Sequence, residues 1–185
     1  MTVTAALLLD LQVDFLDAQK GRLPVGEEGA ARVVEAARAL LSGRAAPGVF
    51  TVAIVNAFPR SQRLANFFRN GAAIAGTAGA ELDPRVSLPP ATPLFAKAQA
   101  NAFSNPELHK HLQSKAVTRV CVMGVYAEGC VRATALGARA LGYDVVVPLD
   151  AIATNARWKL WFAQRSMLAH GVSMPKHLEE VDNAN

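Results

Sequence analysis

The sequence predicts a doubly wound α/β fold: a single Rossmann-like sheet of about six parallel strands with helices on both faces. Three observations carry that prediction. Short, continuous apolar runs recur along the chain, as expected for parallel strands buried on both faces. Segments with helical apolar periodicity fall between them, the alternation that builds βαβ units. The 185 residues, 51% hydrophobic and only 18% charged, suffice for one core, so a single domain over 1–185 is expected.

The first strand is Thr4 to Leu9 (TAALLL), and Asp10 closes it. Glu27 to Leu41 follows as a helix. Its Ala30, Val33, Val34, Ala37, Leu40 and Leu41 share one stripe, and its acidic first turn complements the helix dipole. Gly48 to Val55 (GVFTVAIV) is the second strand. Residues 56–93 are irregular, with Pro59, Pro84, Pro89, Pro90 and Pro93. A connection of that length is expected to be a lid or binding loop unless it carries short helices. Leu94 to Lys97 is a short third strand, closed by Lys97. Asn105-Pro106-Glu107 reads as the N-cap, N1 proline and early acid of a helix. Val117 to Val125 (VTRVCVMGV) is a fourth strand. Gly129 and Cys130 open a small-residue helix over Val131 to Leu141, which Gly142 ends. Tyr143 to Leu149 is a fifth strand, Ala156 to His170 a helix and Gly171 to Met174 a sixth strand.

Composition narrows the partners. The net charge of +4 is scattered over positions such as Lys20, Arg22, Arg32, Arg38, Arg44, Arg60 and Arg63, with no basic run, so no nucleic-acid partner is expected. An anionic small substrate suits that balance. No stretch approaches the ~20 apolar residues that span a bilayer, and the N-terminus lacks the basic region of a signal peptide. Hence no membrane partner and a cytoplasmic location are expected. Two cysteines make no disulfide framework and show no zinc spacing, in keeping with a reducing compartment.

In doubly wound sheets the ligand lies beyond the carboxyl ends of the strands. Asp10, Lys97 and Cys130 all fall at that edge. A helix N-terminus and a nearby ammonium would favour the Cys130 thiolate. Asp10 could accept the thiol proton and pass it to a leaving group. Each residue also has an ordinary reading, as an inert thiol, a turn cap or a solvated lysine, and residue types alone leave both open. Cys121, inside its strand, reads as an inert core thiol.

The motif LLLDLQVDFLD (7–17) resembles the first strand of the isochorismatase-like cysteine hydrolases, the superfamily of nicotinamidase and N-carbamoylsarcosine amidohydrolase. The resemblance continues in order through GTAGAELDP (76–84), FAKAQANAF (95–103) and MGVYAEGCVRATALGARALGYDVVVPLDAIAT (123–154). It implies Cys130 as nucleophile, Asp10 as proton acceptor and donor, and Lys97 as the cation that positions both. It also implies a cis peptide at Val125–Tyr126, with the Tyr126 and Cys130 backbone N–H groups forming an oxyanion hole. Phe15 matches an aromatic of the family pocket. Tyr126 and Arg69 are further expected substrate contacts, Arg69 through a guanidinium suited to a carboxylate or carbamate. Arg60 and Gln62 are weaker candidates in the same loop.

One departure is informative. Metal-dependent nicotinamidases carry an Asp-x-His pair after the second strand and a further His before the GTPGAE-like segment. Here Asn56-Ala57-Phe58 and Ala72 stand there, so neither a metal nor another cofactor is expected. His109, His111, His170 and His177 read as surface residues. Trp158, Trp161 and Phe162 on the last helix read mainly as core, with part of the stripe a subunit contact in a homo-oligomer, dimer or higher. The expected activity is a metal-independent, cysteine-dependent amidohydrolase of a small carboxamide or N-carbamoyl compound. The alternatives are a vinyl-ether hydrolase of the isochorismatase type, suggested by GVYAEGC, or a non-catalytic binding protein or thiol sensor.

Overall fold

The computed structural model describes residues 2–183. Six strands form one sheet: β1 (Thr4–Leu9), β2 (Phe50–Asn56), β3 (Leu94–Lys97), β4 (Arg119–Val125), β5 (Asp144–Val146) and β6 (Ile152–Ala153). The order is β3-β2-β1-β4-β5, with β6 also paired to β4, and every pairing is parallel. The chain winds outward from β1 through β2 to β3, then crosses back to lay β4 on the other side of β1. The switch point therefore lies between β1 and β4. All seven residues of β4 are buried, which is why that segment reads as apolar sequence from Val120 to Val125, with Arg119 at its start paired to Asp144.

Strand alternation sends Ala6 and Leu8 of β1 to one face and Ala5, Leu7 and Leu9 to the other. The first face packs on helices α1 (Val13–Leu16) and α2 (Glu27–Leu41), whose Ala30, Val33, Val34 and Ala37 are buried. After the short α3 (Arg63–Phe68) come α4 (Pro106–Ser114), α5 (Arg132–Ala140) and α6 (Arg157–Ala169), which supply the second face with Leu108, Leu112, Ala135, Ala138, Ala163 and Met167. The start of α4 follows the sequence rule: the Asn105 side chain accepts a hydrogen bond from the Glu107 N–H, and Pro106 opens the helix. Gly124, with φ +123°, lets β4 approach β1 beside the switch point. A Cβ there would lie 2.1 Å from the Leu9 carbonyl oxygen.

Residues 56–93 are pinned to the sheet edge rather than free. They carry α3, and the Val13 N–H donates to Glu81 O while the Asp83 N–H donates to Leu11 O. Buried Asp14 accepts from the Ala73 and Arg22 N–H groups at 2.7 and 3.1 Å.

Four expectations change. The fifth strand stops at Val146, because Pro148 has no N–H to continue a ladder. The sixth strand is Ile152–Ala153, beside the end of β4, whereas Gly171 to Met174 contributes only the bridge Val146↔Ser173. Trp158, Trp161 and Phe162 are at least half exposed, because Ala163 and Met167, four residues apart, turn the opposite stripe of α6 inward. His109 and His111 are part-buried rather than on the surface: His109 Nδ1 lies 2.9 Å from the Tyr143 hydroxyl, and His111 packs against Phe50 and Phe95. His170 and His177 are exposed. No helix among the described residues is long and apolar enough to cross a membrane.

Candidate active site

Four strand ends supply the site. Asp10 leaves β1 with a left-handed φ of 58°, a region Asp tolerates better than most residues, while its N–H still bonds Ile54 O at 2.8 Å. Asn56 ends β2 and Lys97 ends β3, opposite each other in the parallel register. Cys130 sits in a single π-helical turn, Ala127–Val131, between β4 and α5, with non-helical geometry at Gly129. The Val125–Tyr126 peptide that precedes this turn is cis.

Lys97 joins these groups. Its Nζ donates to Asp10 Oδ2 at 3.0 Å, to Asn56 Oδ1 at 2.6 Å and to Cys130 Sγ at 3.2 Å. Two strand spacings of about 4.8 Å separate β3 from β1, so the lysine must cross the end of β2 to reach Asp10. That crossing is why Asn56 is in the site. Asn56 also donates through Nδ2 to the sulfur at 3.8 Å. Gln12, wholly buried, clamps the Asn56 backbone: its Oε1 accepts from Asn56 N–H, and its Nε2 donates to Asn56 O, each at 2.8 Å. Nothing singled out Gln12 or the side-chain role of Asn56 in the sequence. The missed signal was that Asn56 closes its strand at the same edge as the other three.

The electrostatics differ from the sequence expectation. Asp10 and Lys97 are almost completely buried, whereas Cys130 is partly exposed. Burial raises the Asp10 pKa above the usual carboxylate range, outweighing the opposing pull of Lys97. Burial pulls Lys97 down, but the neighbouring Asp10 and Cys130 more than offset it, so its pKa ends above the usual range. Burial first, and the Asp10 carboxylate second, push the Cys130 thiol up to about 12 against the pull of Lys97. The expectation of a resting thiolate is therefore corrected: the helix-end dipole and one ammonium do not overcome desolvation plus a neighbouring anion. Asp10 Oδ1 is buried without a hydrogen-bond partner among the described residues.

The other expected residues divide. Tyr126 is half-buried, with its hydroxyl donating to Leu23 O. Phe15 is 4% exposed and meets the Tyr126 ring edge-to-face at 6.1 Å, so it braces Tyr126 from within the core rather than presenting an open face. Arg69 follows α3 and stacks on Phe58, its Cζ 3.6 Å from the ring centroid. Partial burial lowers its pKa, a shift that a thiolate at Cys130 would oppose. Gln62 is exposed and holds Arg69 through its Oε1, at 3.1 Å. Arg60 is exposed.

Residues 4–172 match the isochorismatase domain model, and the chain belongs to that family. A streptothricin hydrolase of Streptomyces noursei is 35% identical over 153 residues, which are 82% of this chain and 50% of that protein. The chain thus spans about half the length of that relative. An Arabidopsis thaliana protein named "Probable inactive nicotinamidase" is 31% identical over 160 residues, covering 81% of this chain and 80% of its own. Among solved structures, the pyrazinamidase of Pyrococcus horikoshii in complex with zinc superposes with a TM-score of 0.82 at 27% identity, covering 95% of this chain and 99% of that one.

The residues of this chain do not fit such an ion at the end of β2. Zinc takes imidazole, thiolate or carboxylate ligands. Asn56 has its carboxamide oxygen occupied by Lys97, the Phe58 ring lies under Arg69, and Ala72 offers no donor. Among the described residues, no three His, Cys, Asp or Glu side chains cluster to hold a metal.

Proposed function

We propose that this protein is a metal-independent cysteine amidohydrolase acting on a small carboxamide or N-carbamoyl compound through a thioester at Cys130. The observation that carries this reading is one buried ammonium in contact with both a carboxylate and a sulfur, at 3.0 and 3.2 Å. When the thiol proton moves to Asp10, negative charge moves from oxygen to sulfur. Lys97 touches both positions, so the transfer costs less than either ionisation alone. Burial raises the Asp10 pKa, which makes its carboxylate a better acceptor for that proton.

The steps balance. Cys130 Sγ bonds to the carbonyl carbon as its proton passes to Asp10, and the oxyanion is held by the Tyr126 and Cys130 N–H groups. The C–N bond breaks while Asp10 returns the proton to the leaving nitrogen, releasing amine or ammonia and a thioester. Water then gives a proton to Asp10 and adds to the thioester carbon. Sulfur departs and recovers the proton from Asp10. The same thiol chemistry suits a reducing compartment such as the cytoplasm, and neither cysteine is in a disulfide. The exposed Trp158, Trp161 and Phe162 face of α6 supports a homo-oligomer.

The test is ammonia release across small amides, ureas and carbamoyl compounds, with acid-quenched protein weighed by mass spectrometry. An acyl adduct on Cys130 is expected during turnover, with activity abolished in Cys130→Ala. Full activity in Cys130→Ala would overturn the covalent mechanism and return the site to acid chemistry at Asp10.

A further inference from the structure

Arg69 is a built feature with no ion-pair partner among the described residues. Its guanidinium is fixed on three sides: stacked on Phe58 at 3.6 Å, donating from Nε to Ala65 O at 3.1 Å, and donating from Nη2 to Gln62 Oε1 and Asn66 Oδ1 at 3.1 and 3.2 Å. Nη1 donates to nothing, and no carboxylate lies within 4.0 Å of the group, among the described residues. Asn66 is itself buried and anchored to Pro59 O, so this support is rigid. The stack lies just past the end of β2 that meets the reactive sulfur: Phe58 is two residues beyond Asn56, whose side chain reaches Cys130 Sγ at 3.8 Å. The other cation of the site, Lys97, is already occupied by Asp10, Asn56 and Cys130.

A half-buried, oriented guanidinium with a free amino edge and no counter-ion matches a ligand carboxylate, which it can bind with planar, charge-assisted hydrogen bonds. We infer that Arg69 is the specificity-determining residue of the site and selects small amides that carry a carboxylate, either monoamides of short dicarboxylic acids or N-carbamoyl amino acids. This deepens the amidohydrolase reading and rests on it for the scissile bond. The carboxylate is held at the free amino edge of Arg69 while the carbonyl lies against Cys130.

Two measurements test it. The first compares kcat/KM for succinamate with succinamide, and for N-carbamoylglycine with its amide, in the native protein, Arg69→Gln and Arg69→Lys. The carboxylate member of each pair is expected to be preferred. Arg69→Gln should cut that preference about 10–100-fold, the range for a lost charged hydrogen bond, mainly through KM, and Arg69→Lys should restore part of it. An unchanged preference in Arg69→Gln, or a native preference for the neutral partner, would overturn the inference while leaving the amidohydrolase reading intact. The second measurement needs no turnover: succinate should slow iodoacetamide alkylation of Cys130 in the native protein, with at least tenfold weaker protection in Arg69→Gln. If no amide is hydrolysed, the amidohydrolase reading fails and this protection decides the Arg69 site alone. Absent protection in the native protein would remove it.

Discussion

Replacing Asp10 with Asn removes one of the two forces that keep the Cys130 thiol protonated. Burial remains, but the neighbouring negative charge does not. The two contacts of Lys97 Nζ, 3.0 Å to the carboxylate and 3.2 Å to the sulfur, put those anionic positions no more than about 6 Å apart. At an effective dielectric of about 20, that separation is worth ~3 kcal/mol, or about two pH units on the thiol. The thiol of Asp10→Asn should therefore ionise near pH 10 instead of about 12. At pH 9 the thiolate fraction would rise about a hundredfold, but a less basic thiolate attacks more slowly, with a Brønsted slope of about 0.4–0.5. The net expectation is alkylation by iodoacetamide about tenfold faster than in the native protein. Amide turnover should fall at least about a thousandfold, because no group is left to carry the proton. The assay is the pH profile of alkylation, followed by mass spectrometry, alongside steady-state hydrolysis. An alkylation profile that stays in place or moves to higher pH would refute the claim that Asp10 and Cys130 share one electrostatic field.

Two further outcomes follow from the same geometry. Lys97→Met strands a buried carboxylate and should cost about 3–5 kcal/mol, lowering Tm by roughly 10 °C at pH 8. Asp10 already has a raised folded pKa, and loss of the ammonium raises it further, so the cost applies above that pKa and shrinks as the carboxyl is neutralised. Thermal unfolding at pH 5 should show a smaller deficit than at pH 8, and an equal deficit would contradict the assignment. Gly124→Ala drives a methyl group into the Leu9 carbonyl oxygen at a backbone φ of +123°, so urea unfolding should show a loss of about 3 kcal/mol or more, against a smaller loss for Gly142→Ala, whose φ of +88° carries backbone strain alone. A larger loss at Gly124 than at Gly142, where nothing lies within 4 Å, separates contact from backbone strain.

Much of this molecule was legible before its structure. Parallel strands announce themselves as apolar runs because both faces are covered, and β1, β2, β3 and β4 lie within two residues of the sequence assignment at each end. The Asn105 cap and the α2 stripe are equally local signals. That Asp10, Lys97 and Cys130 share an edge follows from strand polarity alone. Short elements were less legible. Ile152–Ala153 is too brief to carry a period, and its place is set by the end of β4, not by its neighbours in the chain. The α6 aromatics misled because hydrophobicity does not say which stripe faces the sheet.

What the chain's own pattern determined is thus the order of strands and helices, and the edge to which chemistry is delivered. Only the tertiary structure decided that Asn56 completes the site, that Gln12 holds it, that Phe15 stands behind Tyr126, and that the thiol rests protonated. Asn56 and Cys130 are 74 positions apart, and Lys97 and Asp10 are 87. Secondary-structure signals are written by residues within a turn or two of one another. Desolvation and Coulomb energies depend instead on distances across space, which exist only once the sheet has closed around its buried groups.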